Sequence, residues 1–283
     1  MKPTPAPAPV AKADASRRGG FDLAALAALF VLTLREQLRG RRLLILALLF
    51  LLPGVLAAVL RLVPHPPPPE MLEFLLVFNL IPHALATLAA LLYASGIIQD
   101  EVEGQTLTYL LLRPLPRWAL YLTKLAVTIL VTAVLTGFFS VLALAVIYWD
   151  TPELWGEVLP WRALKVAALM ALAQAAYCSL FAALSLLTRR ALVVGLGYII
   201  GFEGLLASFE SVARRLTVMY YFRVLSVRWL NPPHGPRWSI DLATAPGTSA
   251  CVLTLLGVSA VFALLGAVLM MRQEFRMKTP EGS

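Results

Sequence analysis

The chain has 283 residues, of which 59% are hydrophobic and only 14% are charged, and its mean hydropathy is +0.78. A water-soluble domain contains roughly 45–50% apolar and about 25% charged residues, so this composition excludes an ordinary soluble globule and a disordered chain. The apolar residues fall in blocks of roughly 18 or more, which is long enough to cross a bilayer as helix. The composition therefore predicts an all-α membrane protein.

The net charge of +8 would suggest a nucleic-acid partner in a soluble protein. Here the Lys and Arg residues mostly flank apolar blocks, where they control topology, so we predict no nucleic-acid partner. The two cysteines, Cys178 and Cys251, lie inside apolar blocks, and the three histidines are far apart in sequence. We therefore predict neither a metal site nor a disulfide. The sequence contains no GxxxxGK[ST] and no GxSxG motif, which argues against an ATPase and a serine hydrolase.

Residues 1–20 are rich in Pro, Ala and charge, and we predict a disordered cytoplasmic tail. The apolar run 21–34 would be only about 21 Å long as a helix, and four arginines follow it before residue 43. We predict that 21–42 form an interfacial elbow helix. A seventh membrane span is the alternative for this segment.

Six membrane-spanning helices are predicted within a transmembrane domain over 43–271. A basic, aromatic and then proline-rich region over 211–249 precedes the last span, and we expect helical or re-entrant structure there at the outer interface. We predict that residues 272–283 form a second cytoplasmic tail. The predicted spans cover about 43–60, 74–98, 125–149, 166–187, 191–209 and 250–271.

The distribution of basic residues predicts the orientation of these spans. Six spans place both termini on one side, and the segments on that side carry 16 of the 24 Lys and Arg residues, against 8 on the other side. Basic residues are enriched in cytoplasmic loops, so both termini are predicted to be cytoplasmic. Five arginines in 211–249 oppose this bias, but long segments follow the rule poorly.

A short amphipathic helix is predicted over 100–113, on the cytoplasmic side between the second and third spans. Acidic residues begin it, where the helix dipole favours negative charge. Leucines at i, i+3 and i+4 give it one apolar face, and an Arg-Pro pair ends it. The residues, in that order, are Asp100, Glu101 and Glu103; Leu107, Leu110 and Leu111; and Arg113 and Pro114. Carboxylates and leucines presented in this way are typical of a helix that docks in the groove of a soluble partner.

This segment resembles the membrane subunit of type-2 ATP-binding-cassette (ABC) exporters. The similar pattern is E-x-E-G-x-T-L-x-x-L-L-x-x-P-x-x-R between two spans, and an elbow helix, six spans and an elaborated last outer loop complete the family's layout. Gln105 departs from the pattern, since many members have an uninterrupted Glu-Gly-Thr run. The matching residues are Glu101, Glu103, Gly104, Thr106, Leu107, Leu110, Leu111, Pro114 and Arg117.

The resemblance implies a non-catalytic permease subunit in the cytoplasmic (inner) membrane of a bacterium. Two permeases, identical or different, would pair across the membrane lipid above two separate ATPase subunits. Those subunits would bind ATP and Mg²⁺, and this chain would bind no cofactor. The 100–113 helix would act as the coupling helix, and export is the implied direction. An accessory protein on the outer side is a further candidate partner, and the substrate stays open.

Polar residues inside the predicted spans are candidates for the translocation path. Asn79, His83 and Thr87 follow each other at i, i+4 and i+8 on the second span, and Glu203 lies in the fifth. An ionisable residue at membrane depth usually faces the protein interior or a water-filled space, and the resemblance implies that these two spans line the path. The alternative is a structural hydrogen bond or ion pair between helices, which we favour for Asn79 and Thr87.

The fifth span also contains a GxxxG motif, formed by Gly197 and Gly201. This spacing allows helices to approach closely. Packing within the subunit is the favoured interpretation, and a seam between two permeases is the alternative.

Two other functions fit part of the sequence. A membrane anchor or assembly protein for a cytoplasmic partner would need the same docking helix. An intramembrane enzyme would need clustered catalytic groups on facing spans, and only His83 and Glu203 are available, with no nucleophile motif.

Overall fold

The computed structural model describes residues 23–103, 116–156, 158–188, 190–206, 215–230, 238, 240 and 243–272, with the side chains of 98–103, 205 and 206 excepted. Within these ranges the chain is helical and contains no β-strand. The helices are α1 (Leu23–Arg39), α2 (Arg41–Arg61), α3 (69–103), α4 (Arg117–Ile147), α5 (Val158–Leu187), α6 (191–206), α7 (Val218–Leu230) and α8 (Thr248–Arg272), with a 3₁₀ turn at Pro152–Leu154.

Helices α1 and α2 are separated only by Gly40, whose backbone is extended (φ −67°, ψ 142°). Helix α1 packs against α4 and buries Leu29 and Thr33. The side-chain amide of Gln37 donates a hydrogen bond to the Thr128 hydroxyl of α4 at 2.8 Å. The segment predicted as an elbow therefore contains a helix that is tied to the bundle by its last turns.

Helix α3 changes its hydrogen-bonding pattern along its length. A turn of α-helix at Pro69–Leu72 leads into a π-helix over Glu73–Ala86, and α-helix resumes over Thr87–Glu103. The hydrogen-bond register shifts by one residue between the two forms. At the second junction the buried side-chain amide of Gln174 donates to the Ala86 carbonyl at 3.0 Å. Gln174 is thus a satisfied polar residue of the core.

Helices α4 and α5 form the centre of the bundle and pack along their length. At this contact Gly137 of α4 faces Ala167 of α5. A Cβ added to Gly137 would lie 3.6 Å from the Cβ of Ala167, an ordinary van der Waals distance. Hydroxyl groups spaced by four residues line one buried face of α4, and three of them donate to the carbonyl four residues earlier, which removes the cost of burying them. They are Thr128, Thr132, Thr136 and Ser140.

Five helices of the described chain are long and apolar enough to cross a membrane: Arg41–Arg61, Pro69–Ile97, Arg117–Ile147, Val158–Leu187 and Thr248–Arg272. They correspond to the predicted first, second, third, fourth and sixth spans. The predicted fifth span, 191–209, is represented by a shorter apolar helix, Ala191–Gly204. Helix α6 is α-helical over Ala191–Tyr198 and π-helical over Ile199–Leu206. The count of six spans is therefore not reproduced by the described helices.

Contacts between helix ends show which ends lie on the same side of the bundle. An ion pair between Arg61 and Asp150 joins the end of α2 to the residues that follow α4. At the opposite end, Gln37, Tyr93 and Lys124 line one cavity between α1, α3 and α4. Successive long helices thus run in alternating directions, as expected for a multi-pass chain. We call the side of Asp150 the outer side, following the predicted orientation.

Candidate coupling segment and transport path

The first part of the predicted coupling helix continues α3. Asp100, Glu101 and Glu103 lie in the last described turn of α3 and not at the start of a separate helix. The predicted boundary after Gln99 is wrong because no residue between Ile97 and Glu103 interrupts a helix. In the sequence, Gly104 is the next residue whose type favours the end of a helix.

The remaining coupling residues, from Gly104 to Pro114, lie outside the described residues. Arg117 is described, and it is the first residue of α4. Helices α3 and α4 pack against each other, and the end of α3 and the start of α4 both lie at the end of the bundle opposite Asp150. The docking role of the intervening segment stays a prediction.

Asn79 contacts the outer region that precedes the last helix. The indole Nε1 of Trp238 donates to its Oδ1 at 3.4 Å. The Trp238 ring also lies 4.8 Å from the ring of Phe74 and 5.6 Å from the guanidinium carbon of Arg223 on α7. Asn79 thus accepts a structural hydrogen bond, the kind of contact favoured over path lining, although its partner Trp238 lies in a turn and not in a helix.

The remaining two polar residues of α3 have different surroundings. The Thr87 hydroxyl is buried and donates to backbone carbonyls of its own helix, at 2.7 Å to His83 and 3.2 Å to Ala84. His83 is half-buried, and its Nδ1 is buried without a hydrogen-bond partner within the described residues. Because Asn79 and His83 lie in the π-helix, whose turns are longer than those of an α-helix, the spacing of four residues does not align them as strictly as predicted.

Glu203 is fully buried and caps the first turn of α7. Its Oε1 accepts hydrogen bonds from the Val218 amide and the Tyr198 hydroxyl, and its Oε2 accepts one from the Met219 amide, all at 3.2 Å. The first amides of a helix lack intrahelical partners, and the helix dipole favours a carboxylate at this end. These contacts account for an ionisable side chain inside the bundle without a substrate.

The GxxxG glycines do not pack against other helices of the described chain. A Cβ added to Gly197 or Gly201 would meet no described atom within 4 Å, so the prediction that they pack within the subunit gains no support from the described residues. The close approach in α6 occurs at Gly195 instead, where an added Cβ would overlap the Leu91 side chain of α3. Gly197 and Gly201 lie on exposed or half-buried parts of α6, so the seam between two permeases stays open as the alternative.

The structure contains an ion pair on the outer side that the sequence analysis does not predict. Glu73 at the start of the π-helix binds Arg162 of α5, and it also accepts a hydrogen bond from the Tyr148 hydroxyl at 2.6 Å. Arg162 donates in addition to the carbonyl of Leu230, the last residue of α7, at 3.1 Å. The signal in the sequence is a carboxylate within an apolar block, but Arg162 stands among the basic residues that flank apolar blocks and is not distinguished from them.

Metal chemistry finds no support in the described part of the chain. No group of three or more His, Cys, Asp and Glu side chains there could hold a metal ion. Cys178 and Cys251 are both buried and unbridged. His83 and Glu203, the residues that an intramembrane enzyme would need, have separate environments.

The model of one protein family, described as ABC-2 family transporter protein, matches residues 38–204. The chain belongs to the ABC-2 transporter family. It is accordingly a multi-pass membrane permease of an ABC transporter, and its family implies partnership with an ABC ATPase. No curated protein gives a significant match to the chain.

The matched range of this ABC-2 permease includes the whole predicted coupling segment and ends one residue after Glu203. Helices α7 and α8 therefore lie beyond it. Contacts from within the range nevertheless hold both ends of α7, through Glu203 at its start and through Arg162 at its end.

Proposed function

We propose that this permease is the membrane subunit of an exporter driven by ATPase subunits on separate chains. In this proposal two permeases, identical or different, pair above two ATPases that bind ATP and Mg²⁺, in a bacterial cytoplasmic membrane with both termini inside. The observation that carries the proposal is the family match over 38–204, which contains an acidic and leucine-rich segment between two long helices.

The 100–113 segment is proposed to seat in a groove of the ATPase. Its acidic and apolar groups offer charge and burial to a soluble partner. It connects α3 to α4, which pack against each other and against α5. A displacement of the segment by closure of the ATPases would consequently move the central helices, and alternating access would follow from that movement.

His83 is the described residue that best fits a proposed translocation path. It lies in a π-helical segment, a form that is frequent at functional sites. It also has a buried ring nitrogen without a partner among the described residues. Asn79 accepts a hydrogen bond from Trp238, and Glu203 accepts bonds from Tyr198 and from the first amides of α7. Thr87 bonds to its own helix, so the proposed path role of these three residues has less support.

The coupling proposal is tested with the double variant E101K/E103K, expressed with the partner ATPase. We expect normal insertion but loss of ATPase copurification and of substrate-responsive ATP hydrolysis, because reversed charges oppose docking. The matched control is E153K, which changes an exposed carboxylate of the Pro152–Leu154 turn at the other end of the bundle. Unchanged coupling in E101K/E103K would contradict the proposal.

The orientation and the alternative function need separate measurements. Single cysteines at Gln105 and Glu153, introduced after both buried native cysteines are replaced, should react from opposite sides of the membrane. Labelling of Gln105 from outside would overturn the orientation. An anchor without transport activity would still bind the ATPase, but hydrolysis would not respond to the contents of proteoliposomes.

A further inference from the structure

The outer half of α3, Glu73–Ala86, is π-helical, and its pattern of burial agrees with wide turns. Leu75 and Ala84 are both exposed. In an α-helix, with 3.6 residues per turn, these two side chains would point in directions about 180° apart. Each turn of a π-helix is closed by a hydrogen bond that spans one more residue, so the two side chains come back to the same side after about two turns.

The same hydrogen-bonding register determines which side chains of α3 face the interior. Glu73 is 1% exposed and Val77 is 0% exposed. In a continuous α-helix, each would point within about 20° of the direction of the exposed Ala84. A carboxylate that faces lipid is costly, and Glu73 would also lose its ion pair with Arg162. The choice between the π and the α register thus decides whether Glu73 pairs inside the bundle or faces outward.

Two side chains of α5 contact the π-helix at its two ends. Arg162 binds Glu73, the first residue of the π-helix. Gln174, further along the same helix, donates to the carbonyl of Ala86, the last residue of the π-helix, at 3.0 Å. Helix α5 therefore holds the π-helix at both of its ends.

Side chains provide hydrogen-bond donors where the π-helix becomes an α-helix. The Thr87 hydroxyl donates to the carbonyls of His83 and Ala84, and Gln174 donates to that of Ala86. The i→i+5 and i→i+4 series of backbone bonds do not join without a gap, and no water is available inside a membrane to fill it. Thr87 moves with α3 itself, whereas Gln174 belongs to α5 and gives the junction a fixed point in the bundle.

The side chain of Gln174 is itself held in place by a second contact. The Sγ of Cys178 donates to its Oε1 at 3.6 Å, and the same Sγ lies 3.3 Å from the Thr132 hydroxyl of α4. All three residues are buried. Both ends of the Gln174 amide are consequently engaged, which fixes the direction in which its Nε2 points.

We propose that Gln174 is a positioning residue of the transport path. Together with Arg162 it holds the outer half of α3 in the π register, and this register sets the direction of the His83 side chain. Without the bond from Gln174, α-helix would extend outward from Thr87 and rotate the residues before it. The effect on transport rests on the proposed path role of His83, whereas the register of α3 does not depend on that role.

Spin labels on the full-length permease in lipid bilayers test the register. Cysteines are introduced one at a time at Leu75 and, next to the junction, at Ala84, in a C178S/C251A background where the serine keeps a donor toward Gln174. Molecular oxygen dissolves preferentially in lipid, so collisions with it report whether a label faces outward. In Q174L the oxygen accessibility of the Leu75 label should fall at least about twofold, because an α-helix turns it away from Ala84. The Ala84 label should change little.

The matched control is S179A. Ser179 is another buried polar residue of α5, but its hydroxyl lies 2.9 Å from that of Ser259 in α8 and makes no printed contact with α3. S179A should leave both labels as they are in the wild type. In the reconstituted permease–ATPase complex, Q174L should lower ATP hydrolysis about threefold or more, and S179A should leave it unchanged. Should Q174L fail to insert, Q174N, whose side chain is shorter, tests the same bond.

The outcomes separate the register from its role in transport. A Leu75 label as accessible in the Gln174 variant as in the wild type would overturn the control of the register by Gln174. Equal falls in Q174L and S179A would overturn it as well, since a general loosening of α5 would then explain both. A rotated α3 with wild-type hydrolysis would overturn the positioning role in transport. Because the labels are measured on the permease alone, failure of the ATPase proposal would leave the register result unaffected.

Discussion

Arg162 binds the carboxylate of Glu73 through two parallel hydrogen bonds, with 2.7 Å between Nε and Oε1 and 2.9 Å between Nη2 and Oε2. Glu73 is only 1% exposed, so the carboxylate of the pair is fully buried. Together with the bonds from Tyr148 and to Leu230, it joins α3, the end of α4, α5 and the end of α7. This bidentate geometry is specific to the arginine fork.

Replacing Glu73 should therefore destabilise the permease strongly. E73Q leaves Arg162 without its countercharge in a partly desolvated place, and removing one member of a buried pair costs about 3–5 kcal/mol. We expect a clear fall in the thermal unfolding midpoint in detergent. E153Q, which neutralises an exposed carboxylate nearby in the outer connection, should leave the midpoint unchanged. An E73Q midpoint equal to that of E153Q would show that the pair contributes nothing.

Glu203 should behave as a helix-capping residue. E203A removes both acceptors of the first α7 amides and should cost about 2 kcal/mol of stability, whereas E203Q keeps one acceptor and should cost about 1 kcal/mol. Thermal unfolding of both variants gives the ranking. If both variants keep wild-type stability but change ATP hydrolysis in the presence of the partner, Glu203 serves the path and not the cap.

Gly266 should not tolerate a side chain. A Cβ at this position of α8 would overlap the ring of Tyr121, which is fully buried against it. G266A should therefore cost about 1–3 kcal/mol through overpacking. G257A is the matched control in the same helix, because a Cβ there meets nothing within 4 Å.

The Tyr121 hydroxyl is the atom nearest to the added Cβ, and it has no hydrogen-bond partner among the described residues. Adding Y121F to G266A should consequently recover part of the lost stability, again measured as the thermal unfolding midpoint. No recovery would place the strain elsewhere in the α4–α8 contact.

Substitutions of His83 and Thr87 should have different effects on ATP hydrolysis by the permease–ATPase complex. H83A removes the ring with the unpartnered buried nitrogen, and we expect altered hydrolysis by the permease–ATPase complex with little change in thermal stability. T87V removes a hydroxyl that bonds only within its own helix and should change hydrolysis less than about twofold. Wild-type hydrolysis in H83A would remove the strongest path candidate.

The sequence was sufficient for the features that depend on local composition. Long apolar blocks with flanking arginines predicted five helices that the structure contains, because burial or lipid exposure leaves few other options for such blocks. The family was recognised from a local string, and the match over 38–204 confirms it. Both signals lie within short stretches of consecutive residues, so they can be read without knowledge of the fold.

The features that the sequence did not predict depend on distant partners. Nothing near Glu73 indicates that Arg162, 89 positions later, will neutralise it. The π-helix of α3 is supported at its end by Gln174 of another helix, and α-helical spacing was the only rule available beforehand. Gly195 and Gly201 are both glycines of α6, but only the packing of α3 distinguishes the crowded one from the open one.

Helix α4 has no internal proline and extends for 31 residues, or about 46 Å. Its first residue, Arg117, follows the predicted ATPase contact, and the residue after its last turn is Tyr148, which binds Glu73 on the opposite face. If the 100–113 segment couples to an ATPase as proposed, a movement of the first turn of α4 would be carried along one continuous helix to the Glu73–Tyr148 contact at its other end. The two ends of the bundle would then be linked by backbone hydrogen bonds within a single element, without a relay of side chains.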